Sequence, residues 1–250
     1  MISAEVIGAY CRSRIGQARS PASQSEQLRP GSNRPPEPED STVAEAGNNH
    51  GAKPNLLIAC GALAQEIVAL QRLNHWEGRL EVTCLPAIWH NTPNKIPEGV
   101  RQKIKAGKQK YDRIFVAYGD CGTGGLLDEV LKEEGAERIE GPHCYEFYTG
   151  KAVFEKMMDE ELGTFFLTDY LCRHFDRLVW KGFGLDRRPD MKDMVFGHYK
   201  KLVFLAQIED PKLTAKAKEI AARMGWELEY RLTGYGELAT FMAEAAAKAH

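Results

Sequence analysis

From residue 54 onward, hydrophobic and polar positions fall into short blocks of two kinds. Asn55-Leu-Leu-Ile-Ala-Cys60 is an apolar run, as in a strand buried on both faces. Gly61 follows. Leu63, Ile67, Leu70 and Leu73 then recur at helical spacing, which predicts an amphipathic helix over Ala62 to Leu73. Arg79 to Leu85 alternates like a half-buried strand. Pro86 to Pro97 reads as a loop carrying Trp89 and His90, and Glu98 to Lys108 as a basic helix. Asp112 to Tyr118 is a second buried strand. Gly119-Asp-Cys-Gly-Thr-Gly-Gly125 is a glycine-rich loop, and Leu126 to Glu134 a helix. Arg138-Ile-Glu leads to Gly141-Pro-His143-Cys144, and a further helix starts near Gly150.

The second half has the same style. Strands are predicted over Thr164–Leu167, Lys201–Ala206 and Trp226–Arg231. Helices are predicted over Asp169–Lys181, Pro189–Lys200, Pro211–Met224 and Glu237–Lys248. Strands alternating with helices imply crossover units and mainly parallel sheets. The expected fold is α/β, with mainly parallel sheets and flanking helices. Seven strands exceed one small sheet, so two Rossmann-like lobes around a cleft are expected, 55–160 and 161–250. One doubly wound sheet is the alternative. No internal repeat is visible.

Residues 1–54 break the pattern. They hold six of the twelve prolines and seven serines, with no period of 2 or 3.6. Such a segment buries too little surface to offset its chain entropy, which predicts a disordered tail ahead of an α/β domain at 55–250. A mis-assigned start, with Val43 as the true initiator, and a regulatory or targeting arm are two accounts of it.

Composition excludes several classes. The 250 residues are 43% apolar and 27% charged, with a formal charge of −2, so no basic excess exists for nucleic-acid binding. Mean hydropathy is −0.41, and no apolar run approaches the ~18 residues of a membrane span. Six cysteines occur, Cys11, Cys60, Cys84, Cys121, Cys144 and Cys172, with no CxxC pair. No signal peptide opens the chain, so reduced thiols and a cytoplasmic location are expected.

Ligands of open parallel sheets sit beyond the carboxyl ends of the strands. Cys60 closes the first strand, His90 follows the second, Cys121 lies after the third, and His143 and Cys144 follow the fourth apolar stretch. Thiolate and imidazole are zinc ligands, and thiolates hold iron–sulfur clusters. Cys60, Cys121 and Cys144, with His90 as possible fourth ligand, are therefore the candidate metal site, their sulfurs converging on one centre. Gly61, Gly119, Gly122 and Gly124 are the candidate backbone cradle around a cofactor. Cys84 and Cys172 are expected in the core, where cysteine often serves as a small hydrophobe. The glycine-rich loop has two other readings. It could cradle phosphate, although no P-loop lysine follows and Asp120 repels anions. Alternatively, Cys121 could be a nucleophile near a helix N-terminus, with His90 or His143 as base.

Ala59-Cys60, His90-Asn91, Tyr118-Gly119-Asp-Cys121-Gly122 and Pro142-His143-Cys144 together resemble a bacterial and archaeal family known as domain of unknown function sixteen-thirty-eight. The resemblance covers about Asn55 to Arg231. In that family an aspartate often stands where His143 stands here. Its members often accompany corrinoid-dependent methyl-transfer proteins, which implies a link to one-carbon metabolism. The expected function is a metal- or iron–sulfur-dependent enzyme of methyl transfer, acting on a small molecule or with a corrinoid protein. The alternative is a non-enzymatic accessory protein that binds a metal or cofactor for methyltransferases. Tyr145, Phe147, Tyr148, Phe165, Phe166, Tyr170 and Trp180 either line a pocket for a flat ligand or fill the core between the lobes.

Overall fold

A computed structural model describes residues 53–160 and 163–248. The tail expected at 1–54 therefore lies almost wholly outside the described residues, as does Cys11. The described chain is mixed α/β, with two parallel sheets flanked by helices.

The first sheet holds β1 (Asn55–Cys60), β2 (Leu80–Leu85), β3 (Ile114–Ala117) and β4 (Glu137–Arg138) in the order β2-β1-β3-β4. All pairings are parallel, so every strand ends at the same edge. Alternation divides β1 and β3 between two cores. Leu57, Ala59, Phe115 and Ala117 pack on Leu63, Ile67 and Leu70, the last two from α1 (Ala64–Asn74). Leu56, Ile58, Val116 and Tyr118 pack on α2 (Ile96–Gly107) and α3 (Leu126–Glu134).

The second sheet holds β5 (Thr164–Thr168), β6 (Lys201–Ala206) and β7 (Glu227–Leu232), parallel and in sequence order. Phe166, Val203 and Leu205 pack on Phe154 and Met157 of α5 (Lys151–Glu160), which follows the single turn α4 (Glu146–Thr149). The other face, through Phe165, Leu167, Leu202, Phe204 and Ala206, packs on α6 (Asp169–Phe175) and α8 (Pro211–Met224). The Thr168 hydroxyl caps α6 by accepting from the Leu171 N–H at 3.3 Å.

Some elements differ from the sequence pattern. The helix expected over Asp169–Lys181 is α-helical only to Phe175, and Asp176–Trp180 widens into a π turn. The helix expected over Pro189–Lys200 shrinks to a 3-10 turn and α7 (Lys192–Phe196). The loop at Pro86–Pro97 contains two 3-10 turns, Ala87–Asn91 and Pro93–Lys95. The last helix, α9 (Gly236–Ala247), follows the second sheet in sequence yet packs on the first. Leu238, Met242 and Ala245 lie against Leu57 and Ala59, all of them fully buried. Asn55 fixes the register: its Nδ2 donates to the Ala245 carbonyl at 2.7 Å, and its Oδ1 accepts from the Arg113 N–H at 3.0 Å.

Candidate functional site

The common carboxyl edge of the first sheet presents four loops side by side. From β2 to β4 they carry His90, Cys60, Cys121 and then His143 with Cys144. All five residues line one cavity of about 70 Å³. Its roof comes from the second sheet's side: Thr168 ends β5, Tyr170 and Leu171 belong to α6, and Leu178 belongs to the π turn. The cavity thus lies between the two sheets. Cys84 and Cys172 do not line it. Cys84 pairs beside Ala59 on β2, and the buried Cys172 thiol donates to the Leu213 carbonyl at 3.5 Å. All five described cysteines are free thiols.

Two loops meet closely at the centre. A Cβ on Gly119 would lie 2.9 Å from the His143 nitrogen and 3.0 Å from its Cα. The Cys121 N–H donates to the Pro142 carbonyl at 3.0 Å, and the Asp120 N–H to the Gly141 carbonyl at 3.2 Å. Cys121 has φ +48°, a left-handed conformation that non-glycine residues rarely adopt. Strained positions of this kind cluster at functional sites.

Asp120 organises the glycine-rich loop. Its carboxylate accepts from the N–H groups of Gly122 (3.2 Å), Gly124 (3.2 Å) and Gly125 (2.9 Å), and from the Thr123 hydroxyl (2.6 Å). Burial pushes its pKa up, but these donors outweigh burial and hold it below the usual carboxylate value. An internal anion therefore fills the nest that a phosphate would need, which removes the phosphate reading. The same bonds bear on the expected cradle. Gly122 and Gly124 aim their N–H groups at Asp120, and neither lines the cavity. Gly61 does not line it either. A Cβ there would stand 3.0 Å from the Leu85 carbonyl oxygen, so Gly61 serves the close approach of two strand ends. Gly119 does line the cavity.

Burial dominates the electrostatics. It raises the pKa of Cys60, while the Ala62 N–H and the Tyr118 hydroxyl pull it down. It pushes Cys121 up to about 12, helped by the nearby Cys60 and Asp120 charges and opposed by the N–H groups of Gly119 and Cys144. Cys144 is raised well above the ordinary thiol value by burial, then by Cys121 and Cys60. Burial pushes His143 down to about 3, with His90 adding to it, and lowers His90 as well. Both imidazoles are neutral at pH 7. The rings of His90 and His143 meet edge to face at 5.4 Å. His143 Nδ1 accepts from the Tyr145 N–H at 3.2 Å, which places the proton of the neutral ring on Nε2. The Cys144 sulfur lies 3.7 Å from the same Nδ1. A protonated thiol at pKa about 12 is a weak nucleophile, which disfavours Cys121 as a nucleophile.

The donor chemistry of three thiols and two imidazoles suits a soft cation. The placement is looser than sequence reasoning expected. Among the described residues, no three His, Cys, Asp or Glu side chains form a group able to hold a metal ion.

Over residues 84–242 the chain matches the model of a family described as "Protein of unknown function (DUF1638)". The chain belongs to this family. The DUF1638 match contains His90, Cys121, His143 and Cys144, and it begins beyond β1 and Cys60. No curated protein and no solved structure matches the chain. Among the described residues, no helix is long and apolar enough to cross a membrane. Besides the site residues expected from the strand ends, the cavity contains His143, Tyr118, Asn91 and Tyr170. The strand-end position of His143 was the one available signal for it. Tyr118 ends an apolar run and reads as core, whereas Tyr170 and Tyr145, both lining the cavity, belong to the aromatic set expected either to line a pocket or to fill the core.

Proposed function

We propose that the cavity between the sheets binds a thiophilic metal centre, zinc or an iron–sulfur cluster, and that the protein is a metal-dependent enzyme of methyl transfer. The observation that carries this reading is the meeting of Cys60, His90, Cys121, His143 and Cys144, from four separate strand-end loops, at one buried cavity. Cys60, Cys121 and Cys144 are the proposed ligands, with His90 as the fourth; no three of them form a metal-holding group in the structure, so binding would have to draw their loops closer together. When bound, the centre would keep the thiolates deprotonated at neutral pH and act as a Lewis acid toward a substrate thiol or water. The residues around it contribute independently of the centre. The Gly119 and Cys144 N–H groups favour the thiolate of Cys121. His143 holds its proton on Nε2 through the Tyr145 N–H. Leu171 and Leu178 add apolar wall to the cavity. The methyl-transfer assignment, and a corrinoid protein as partner, rest on the family resemblance alone. A reducing cytoplasm suits five free thiols.

The first prediction tests the centre. Protein purified without oxygen is expected to carry near-stoichiometric zinc or iron by elemental analysis, and Cys121→Ser to lose most of it while keeping a native circular dichroism spectrum. Metal-free wild type with all cavity thiols titrating would sink the reading. A centre whose ligands are all protein side chains, seen by X-ray absorption, would move the protein to the accessory role.

A further inference from the structure

Behind the site loop lies a second, open cleft. Asp120, Gly141 and Pro142 line it, whereas their neighbours Gly119, Cys121 and His143 line the first cavity. Helix α9 supplies another wall through Glu237, Thr240, Phe241 and Glu244. Seven carboxylates line the cleft against two cations. Three of the seven are already engaged. Asp120 is held by its own loop, Asp128 by Arg138 at 3.0 Å and Glu137 by Lys248 at 3.0 Å. Arg138 gives its other donors to the Ile139 and Gly141 carbonyls. The side chains of Glu140, Glu146, Glu237 and Glu244 form no hydrogen bond or ion pair among the described residues.

Glu146 is the one that points to a ligand. It lines the cleft yet is only 5% exposed, and its Oε2 is buried without a partner. Its carboxyl lies against Gly141, which also lines the cleft: a Cβ there would stand 3.2 Å from Glu146 Oε1. Burial and the neighbouring Glu155 charge raise its pKa, and Lys151 lowers it without forming an ion pair. A buried carboxylate left without a partner is costly, and such groups nearly always find one, here a cation. Glu237 stands at the same end of the cleft. Its Oε1 is 3.6 Å from where a Cβ would lie on Gly150, which closes the turn that Glu146 opens. Glu244 lies two turns further along α9, about 10 Å away at 1.5 Å per residue. Thr240 and Phe241 separate the two acids on that wall.

We propose that this cleft binds a linear aliphatic polyamine, with one ammonium at Glu146 and Glu237, a second at Glu244, and the methylenes between them along Phe241. The acids stand apart, and no three of them form a group able to hold a metal ion, so they match charges spread along a chain. A thin methylene stem lets a primary ammonium reach Glu146, where the wall is nearly closed. The site is separate from the proposed metal centre and needs no metal.

The test is calorimetric titration of the full-length protein at pH 8 and fixed ionic strength with three probes of equal charge: 1,8-diaminooctane, 1,3-diaminopropane and magnesium. The longer diamine can span two helical turns and the shorter cannot. One equivalent of 1,8-diaminooctane is expected to bind, about fivefold more tightly than 1,3-diaminopropane, the worth of one exposed ion pair. Glu244→Gln is expected to erase that preference, and Glu146→Gln to weaken both diamines about tenfold or more, as loss of a charged hydrogen bond does. No binding, equal binding of the two diamines, tighter binding of magnesium, or unchanged diamine affinity in a folded Glu146→Gln protein would overturn the proposal. Trilysine binding more tightly than 1,8-diaminooctane would overturn it in favour of a basic protein segment. If Glu146→Gln does not fold, the diamine contrast and the exposed Glu244→Gln variant decide it.

Discussion

At the scale of single residues, Gly119 and Gly124 belong to one loop and obey different constraints. Gly119 sits where a side chain would strike the His143 backbone, at 2.9–3.1 Å from three of its atoms. Gly124 has open space around it but φ +65°. Gly119→Ala is therefore expected to lose about 1–3 kcal/mol by overpacking and to shift the loop that carries His143 and Cys144. Gly124→Ala is expected to lose about 1–2 kcal/mol through its backbone conformation alone. Thermal melts should show both losses, but only Gly119→Ala should alter the rate at which Cys144 is alkylated. Equal Cys144 rates in the two variants would contradict the close-packing account. Residue-scale reasoning from sequence located Cys60, His90, Cys121 and Cys144 because strand ends share an edge in parallel sheets. It did not foresee Asp120 as the internal anion of the loop, since that depends on the N–H groups of Gly122, Gly124 and Gly125 all turning inward.

At the scale of elements, helix α9 is the informative case. Its existence was plain from the spacing of Leu238, Met242 and Ala245, but an apolar stripe says only that a face is buried, not against what. The fold answers with the first sheet rather than the second. Met242 is fully buried against β1 residues. Met242→Ala is expected to cost about 2–5 kcal/mol in urea unfolding. Hydrogen exchange should locate the loss in β1, although residue 242 follows β7 in the chain. A loss of protection confined to β5–β7 would contradict this packing. The π turn at Asp176–Trp180 was equally hidden, because one extra residue in a turn barely disturbs the apolar spacing. It carries Leu178 into the roof of the cavity.

At the scale of the whole molecule, the two sheets also meet through a buried polar cluster. Arg173 on α6 approaches Glu66 on α1 at 4.0 Å and Asp169 at 3.9 Å, and the carboxyl groups are 4% and 1% exposed. Burial raises the pKa of Glu66, with the Asp169 charge adding to it and Arg173 opposing. The native state therefore favours protonated Glu66. This contribution is fully present below the unfolded carboxyl pKa of about 4.3 and is lost as pH rises through the higher folded value. Glu66→Gln, which mimics the protonated form, should match wild type near pH 4 and have a higher urea midpoint at pH 8. A lower midpoint at pH 8 would show that the pairing with Arg173 outweighs burial. The Asn55–Ala245 bond carries a consequence of another kind. It joins positions 190 apart in sequence, and the helix it anchors is synthesised after every other part of the first sheet's core. On the ribosome, residues 55–145 emerge with one face of their sheet still bare of α9. They cannot complete this core until α9 has emerged, and the thiols they carry stay open to oxidation and to stray metals until then.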